Sequence, residues 1–176
     1  MKRLLVLSSL VAVLLIAGCS QKASVQSSSS NNSGSYGQGV NNGKGYVAGK
    51  DSFATLEERV NYVDSNLGNV FFNFDQFTIR PDMQKVVDNN VDILLSPAVG
   101  TLSVRIEGNT DEWGTDEYNY ALGLKRAVAV RDSLVAKGVS QDKTILVSYG
   151  ESKPTCTSKT RECWAENRKV TFKMLP

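Results

Sequence analysis

Residues 107–128 read EGNTDEWGTDEYNYALGLKRAV. They extend an alternating run over 101–107, in which Leu102, Val104 and Ile106 take turns with Ser103, Arg105 and Glu107, the period of a β-strand with one buried face. The strand runs out at Glu107-Gly108 into a tight acidic loop that holds Asp111, Glu112 and the turn residue Gly114. A helix is predicted from Thr115-Asp116 onward, with acids at its start as helix N-termini favour. On that helix Asn119 and Arg126 fall within about 20° of each other, with Leu122 beside them. Ala121, Leu124, Ala127, Val128, Leu134 and Val135 occupy a different arc and read as the core face, so the polar residues flank the buried stripe. Arginine side chains lean toward the helix N-terminus, which carries the Arg126 guanidinium back toward Asp111. A carboxylate for a cation and a guanidinium for an anion beside one helix start suit a zwitterionic ligand. The plainer alternative is an internal Asp111–Arg126 salt bridge that fixes the loop.

Working outward, three more stretches alternate. Residues 144–149 set Ile145, Val147 and Tyr149 on one side, residues 169–174 set Val170, Phe172 and Met174 on one side, and residues 69–75 put Val70, Phe72 and Phe74 on one face of a first strand. Pro81 at a first helical position starts a helix through Val86, Val87, Val91 and Leu94, ended by Ser96-Pro97. Ahead of these, Phe53, Leu56, Val60, Val63 and Leu67 recur at helical spacing, with Ser52 as N-cap and Gly68 as stop. Clean alternation means a sheet wet on one face and covered by helices on the other, and helical crossovers imply parallel or mixed pairing. The expected fold is α/β (α+β), a two-layer β-α-β-α-β-β sandwich over residues 51–176.

The remaining chain is of another kind. Lys2-Arg3 precede an apolar run from Leu4 to Ile16, too short to span a bilayer as a helix, and Ala17-Gly18-Cys19 resembles a lipoprotein signal-peptidase box. Residues 1–18 are thus expected to be a signal peptide and Cys19 the acylated first residue, although an ordinary secretory signal would also begin this way. Ser rather than Asp at position 20 favours, by analogy, sorting to the outer membrane. Residues 19–50 carry this cysteine and a Ser/Asn/Gly-rich linker with almost no core-forming side chains. A chain of this composition has an r.m.s. span near ~30 Å and a stretched reach of roughly 100 Å.

Composition excludes several functions. Lys and Arg total 20 and Asp and Glu 18, and loss of Lys2 and Arg3 makes the two counts equal. Nucleic-acid binding demands a clear basic excess, so no nucleic-acid partner is expected. The chain has no His, which removes Ser-His-Asp and Cys-His catalysis and His-containing zinc sites. Asp111, Glu112, Asp116 and Glu117 lack EF-hand spacing, so no metal and no cofactor is expected. Cys156 and Cys163 remain, in a loop, either as a structural disulfide or as a redox-active pair; their spacing is not C-x-x-C. Trp113 on the acidic loop could stack on a ligand or pack locally.

The pattern G-x-T-D-x-x-G-x-x-x-x-N-x-x-L-x-x-x-R-A-x-x-V, with FFNFDQFTIRPD before it, SYGESKP at 148–154 and Asn167-Arg168 near the end, resembles the peptidoglycan-binding signature of the OmpA C-terminal-like domain family. Asn109 departs from the His common there, and Lys169 from a second Arg. The resemblance implies the same two-layer fold and a non-catalytic role. It implies binding of the meso-diaminopimelate stem peptide of peptidoglycan by Asp111 and Arg126, with Asn119, Thr110, Leu122 and the Phe74-Asp75 turn lining the pocket. The distal ammonium and carboxylate of diaminopimelate would meet Asp111 and the planar fork of Arg126. Among lipoprotein members of the family it further implies an outer-membrane lipid anchor, a domain in the periplasm, and partners in the Tol system, chiefly TolB. Two other readings are a peptidoglycan-acting enzyme and the wall anchor of a flagellar stator.

Overall fold

The computed structural model describes residues 52–176. The expected signal peptide, Cys19 and linker lie outside the described residues. Helix α1 (Leu56–Asn66) leads to a short strand β1 (Val70–Phe71); a single turn of 3-10 helix (Pro81–Met83) runs into α2 (Gln84–Leu94). Strand β2 (Ser103–Asn109), helix α3 (Asp116–Ala136) and strand β3 (Thr144–Gly150) follow, and a seven-residue helix α4 (Arg161–Asn167) precedes β4 (Lys169–Leu175). The sheet order is β1-β4-β2-β3. β2 and β3 pair in parallel across the α3 crossover, while β4 lies antiparallel to both β2 and β1. The two-layer α/β architecture is the one expected, with α4 added between β3 and β4.

Three local boundaries differ from the expectation. The cap of α1 is Thr55, whose hydroxyl accepts from the Glu58 N–H, and not Ser52. Gly68 does follow the helix, but what holds it is the Asn90 side chain, which accepts from its N–H and donates to its carbonyl, both at 2.8 Å. β1 pairs over two residues only, because the chain turns after Phe72: Gln76 N–H reaches back to the Asn73 carbonyl and Asp75 takes φ 55°, a conformation no strand contains. Phe74 therefore leaves the face of Val70 and Phe72 and stands 59% exposed.

The core fills the space between sheet and helices with Val70, Val104, Ile106, Val170 and Met174 from the strands, Phe72 just past β1, and Val63, Val87, Ala127, Val130 and Leu134 from the helices. Ile145, Val147 and Tyr149 share the opposite face with Glu107, and on β3 it is Leu146 and Ser148 that turn toward α3. On the open face Glu107 accepts from Arg105 Nε, Tyr149 Oη and Thr171 Oγ1, which satisfies a half-buried carboxylate from three strands. Asp64 ties α1 to the last strand by accepting from the Met174 N–H and the Lys173 ammonium.

One contact sets the height of α3 above the sheet. A Cβ on Gly108 would lie 1.8 Å from the Gly123 carbonyl oxygen, and one on Gly123 would lie 2.4 Å from Ser148 Oγ. Only glycine lets the two backbones come this close. Ser148 Oγ then donates to the Tyr120 carbonyl at 2.7 Å, pinning the first turns of the helix to β3. Asn119, Leu122 and Arg126, on this face, are pressed inward as a result.

Candidate functional site

The face of α3 that the sheet buries carries Asn119, Leu122, Gly123, Arg126, Ala127, Val130 and Leu134. Ala121, expected in the core, is exposed, while Arg126 is 0% exposed and is the largest fully buried side chain of the domain. The polar residues do not flank the buried stripe; they are its N-terminal half. Of the expected arc Ala127 and Leu134 are buried; apolarity is spread around this helix, so it marks the buried side only in part, and backbone approach at Gly123 decides which side is inside.

A buried guanidinium must have partners, and Arg126 finds them in main-chain carbonyls. Nε donates to Gln76 O at 2.8 Å, Nη1 to Asn109 O at 2.8 Å and Nη2 to Asn73 O at 3.2 Å. Its Cζ sits 5.3 Å from the centroid of the Phe72 ring. Arg126 thereby ties the turn after β1 to the end of β2. Burial pushes its pKa down to about 10, with Asp111 opposing the shift and Arg168 adding to it, so it remains a cation at neutral pH.

Asp111 is buried as well, and its ionic partner is Arg168: Nη1 to Oδ2 is 2.9 Å. Arg168 also donates through Nε to Phe72 O at 3.2 Å. The internal Asp111–Arg126 bridge weighed from sequence does not form. Arg168, expected with Asn167 to brace the start of the last strand, does so here because α4 ends one residue before β4 and delivers it to Asp111. Asn167 holds the preceding segment, accepting from Thr155 N–H and Cys156 N–H and donating to Cys156 O. Cys156 and Cys163 are joined in a disulfide.

Between the turn after β1 and the acidic loop lies a pocket of about 250 Å³, lined by Phe74, Asp75, Asp111, Trp113, Gly114, Tyr118 and Leu122. Four of the residues named from sequence meet here: Phe74, Asp75, Asp111 and Leu122. Across its mouth the Tyr118 hydroxyl donates to the Asp75 carboxylate, and that bond holds the phenol's pKa above its usual value. Gly114, at φ 129°, lets the loop pass over Asn119 with no side chain of its own in the way. Thr110 and Asn119 lie on the other side of the loop. Asn119 Nδ2 donates to Glu151, Asn119 Oδ1 and Thr110 Oγ1 are buried with no partner, and Thr110 is 2% exposed. The two departures from the family pattern also meet: the Asn109 amide donates to the Glu107 and Lys169 carbonyls, facing the sheet.

Trp113, exposed on the loop, packs edge-to-face on Trp164 of α4 with centroids 5.2 Å apart, and Trp164 Nε1 donates to Glu112 at 3.1 Å. The acidic loop is thus braced by the disulfide segment, a link that sequence reading missed. Among the described residues no group of His, Cys, Asp and Glu could hold a metal ion, and no helix is long and apolar enough to cross a membrane.

The family model described as the OmpA family matches residues 71–168, which contain every residue of the pocket. A peptidoglycan-associated lipoprotein of Haemophilus influenzae is 38% identical over 160 residues, covering 91% of this chain and 95% of that protein. One from Rhizobium meliloti is 34% identical over 167 residues, covering 94% and 84%. In three dimensions the chain is similar to the peptidoglycan-associated lipoprotein from Burkholderia pseudomallei, with a TM-score of 0.57 and 36% identity over 61% of this chain and 89% of that one.

Proposed function

This chain belongs to the OmpA family, and on that premise we propose that it is a lipoprotein that binds peptidoglycan without cleaving it. In this reading the domain engages the diaminopimelate-bearing stem peptide while acyl chains on Cys19 hold the protein in the outer membrane, with the domain in the periplasm. One acyl chain gives only marginal binding to a bilayer, so the anchor requires more than one. The linker over residues 19–50 spans the distance between the two attachments. By the same family resemblance the protein works with the Tol system, TolB first, in envelope integrity and cell division.

The observation that carries the reading is the pocket with the Asp111 carboxylate in its wall and two guanidinium groups behind it. The ligand's distal ammonium pairs with Asp111, and its carboxylate faces the positive field of Arg168 and Arg126. Arg126 places three of its five N–H donors on backbone, is fully buried and does not line the pocket, so it acts on a ligand carboxylate that enters past Phe74 through its positive field. Leu122 supplies an apolar floor for the methylene chain. The Asn73–Gln76 turn and the Tyr118–Asp75 bond keep the opposite wall in place, so the site is largely formed before the ligand arrives.

A pull-down of the protein with purified sacculi tests this. Asp111→Ala leaves the ammonium without its counter-charge and is expected to weaken binding at least tenfold, since losing one partner of a buried charged contact costs on the order of 2–5 kcal/mol. Sacculi whose stem peptide carries Lys, or an amidated diaminopimelate, should bind poorly. Release of soluble muropeptides by the wild type would overturn the non-catalytic assignment.

A further inference from the structure

The acidic loop is a ridge with a pocket on each side. Asp111, Trp113 and Gly114 line the pocket described above, while Thr110 and Glu112 line a second of about 260 Å³, closed on its far side by the disulfide segment. We propose that this second pocket is a saccharide subsite, which takes one sugar ring of the glycan strand next to the bound stem peptide. The proposal rests on the peptidoglycan-binding reading and extends it from the peptide to the polymer.

The chemistry of the walls is what selects a sugar. Thr110 Oγ1 is buried at the edge of this pocket with no partner in the protein, an arrangement that persists only where a ligand or solvent completes it. Glu112 and Glu151 present carboxylates, each already oriented by one donor: Trp164 Nε1 holds Glu112 and Asn119 Nδ2 holds Glu151. Oriented carboxylates accept from hydroxyl and acetamido N–H groups, which a pyranose of the cell wall offers in numbers. Thr157 and Ser158 add hydroxyls on the rim, and the Trp164 indole gives an apolar wall for the C–H face of a ring. No Lys or Arg lines the pocket. The free carboxylates of a stem peptide are therefore repelled from it, whereas a neutral sugar is not. In peptidoglycan the peptide is attached to the sugar, so two adjoining pockets on one loop match two adjoining parts of one ligand.

Binding of three probes by titration calorimetry to the full chain in detergent decides the matter: a stem tripeptide, the same tripeptide on its disaccharide, and the disaccharide alone. For the wild type the disaccharide-tripeptide should bind roughly tenfold tighter than the tripeptide, the effect of one or two well-placed hydrogen bonds. Thr110→Val, which removes the hydroxyl and keeps the shape, should bring that ratio close to one. Ser158→Met, on the exposed rim, should do the same by filling the pocket, and it stands in if Thr110→Val does not fold. Equal affinity of the two peptides for the wild type, or a ratio that survives both variants, would overturn the subsite. An affinity gain that follows a free amine on the peptide instead of the sugar would also overturn it. Failure of the underlying reading looks different: the tripeptide alone then does not bind, or binds Asp111→Asn as well as wild type, and the sugar proposal falls with it.

Discussion

Asp111 is paired with Arg168, 57 residues further along the chain, and not with Arg126 on the helix that its own loop opens. The carboxylate is nearly inaccessible and the guanidinium half-buried, so neither is solvated well enough to stand alone. Removing Arg168 leaves a buried anion. Arg168→Ala is expected to cost about 3 kcal/mol of stability, the penalty for breaking one side of a buried pair. Urea unfolding of the variant checks this, and Arg168→Lys should recover only part of the loss because lysine cannot also reach the Phe72 carbonyl in the same geometry.

Arg126 is a fold residue before it is anything else. Arg126→Ala strips the donors from the carbonyls of Asn73, Gln76 and Asn109 and opens a cavity under Phe72. Three buried acceptors at roughly 1–3 kcal/mol each exceed half the stability of many small domains. The variant is expected to be largely unfolded by circular dichroism, so its loss of sacculus binding would say nothing about the ligand.

The depressed pKa of Arg126 has a sign that can be tested. Burial brings it from its ordinary value down to about 10 in the native chain, so the native state gives up the proton first. Between those values the unfolded chain binds more protons and this residue's contribution makes stability rise with pH; below about pH 9 it contributes no slope. The difference in urea midpoint between the wild type and a folded Arg126→Gln should be flat from pH 6 to 9 and widen in favour of the wild type above pH 10, on the order of the linkage effect.

Opening the disulfide should loosen the loop more than it harms the core. Cys156→Ser with Cys163→Ser frees a short closed segment, worth about 2.5 kcal/mol in the chain-entropy account, and should lower the melting temperature by roughly 5–10 °C. Trp164 and Asn167 follow directly on the freed segment and brace the acidic loop and residues 155–156, so sacculus binding should fall, though by less than in Asp111→Ala. A double variant with wild-type melting would show that the remaining contacts hold the segment unaided.

Gly123→Ala is expected to yield no native protein. Its new Cβ would fall on Ser148 Oγ, 2.4 Å away, and within 2.9 Å of the Gly108 carbonyl oxygen, and a strand backbone cannot retreat from it. Near-ultraviolet dichroism, which reads packed aromatics, gives the answer directly.

These outcomes depend on features that the sequence discloses unevenly. Strands β2 and β4 and the start of α3 are legible because alternation and helix-start chemistry are local: α3 begins at Asp116, with acids in its first turn. The extent of β1 is not, since Phe74 continues the apolar alternation past the point where Asp75 turns the chain. Nor is the buried arc of α3, where Asn119 and Arg126 are inside and Ala121 is outside; no hydropathy scale ranks arginine as core. The pocket residues Asp111, Asp75, Phe74 and Leu122 could be listed from a family pattern. That Thr110 and Asn119 serve the opposite side of the loop, and that Arg168 holds Asp111, follows only from how α4 returns the chain to the sheet.

The last strand lies between two earlier ones, β1 and β2. A chain made N-terminus first therefore cannot close its sheet until residues 169–175 are made, and Arg168, the partner of Asp111, comes just ahead of them. Until then β1 has no neighbour and Asp111 no counterion. The sheet consequently stays open, and the wall of the pocket without its ion pair, until the segment from Arg168 through Leu175 is in place, so closure of the sheet and pairing of Asp111 are reached in the same event.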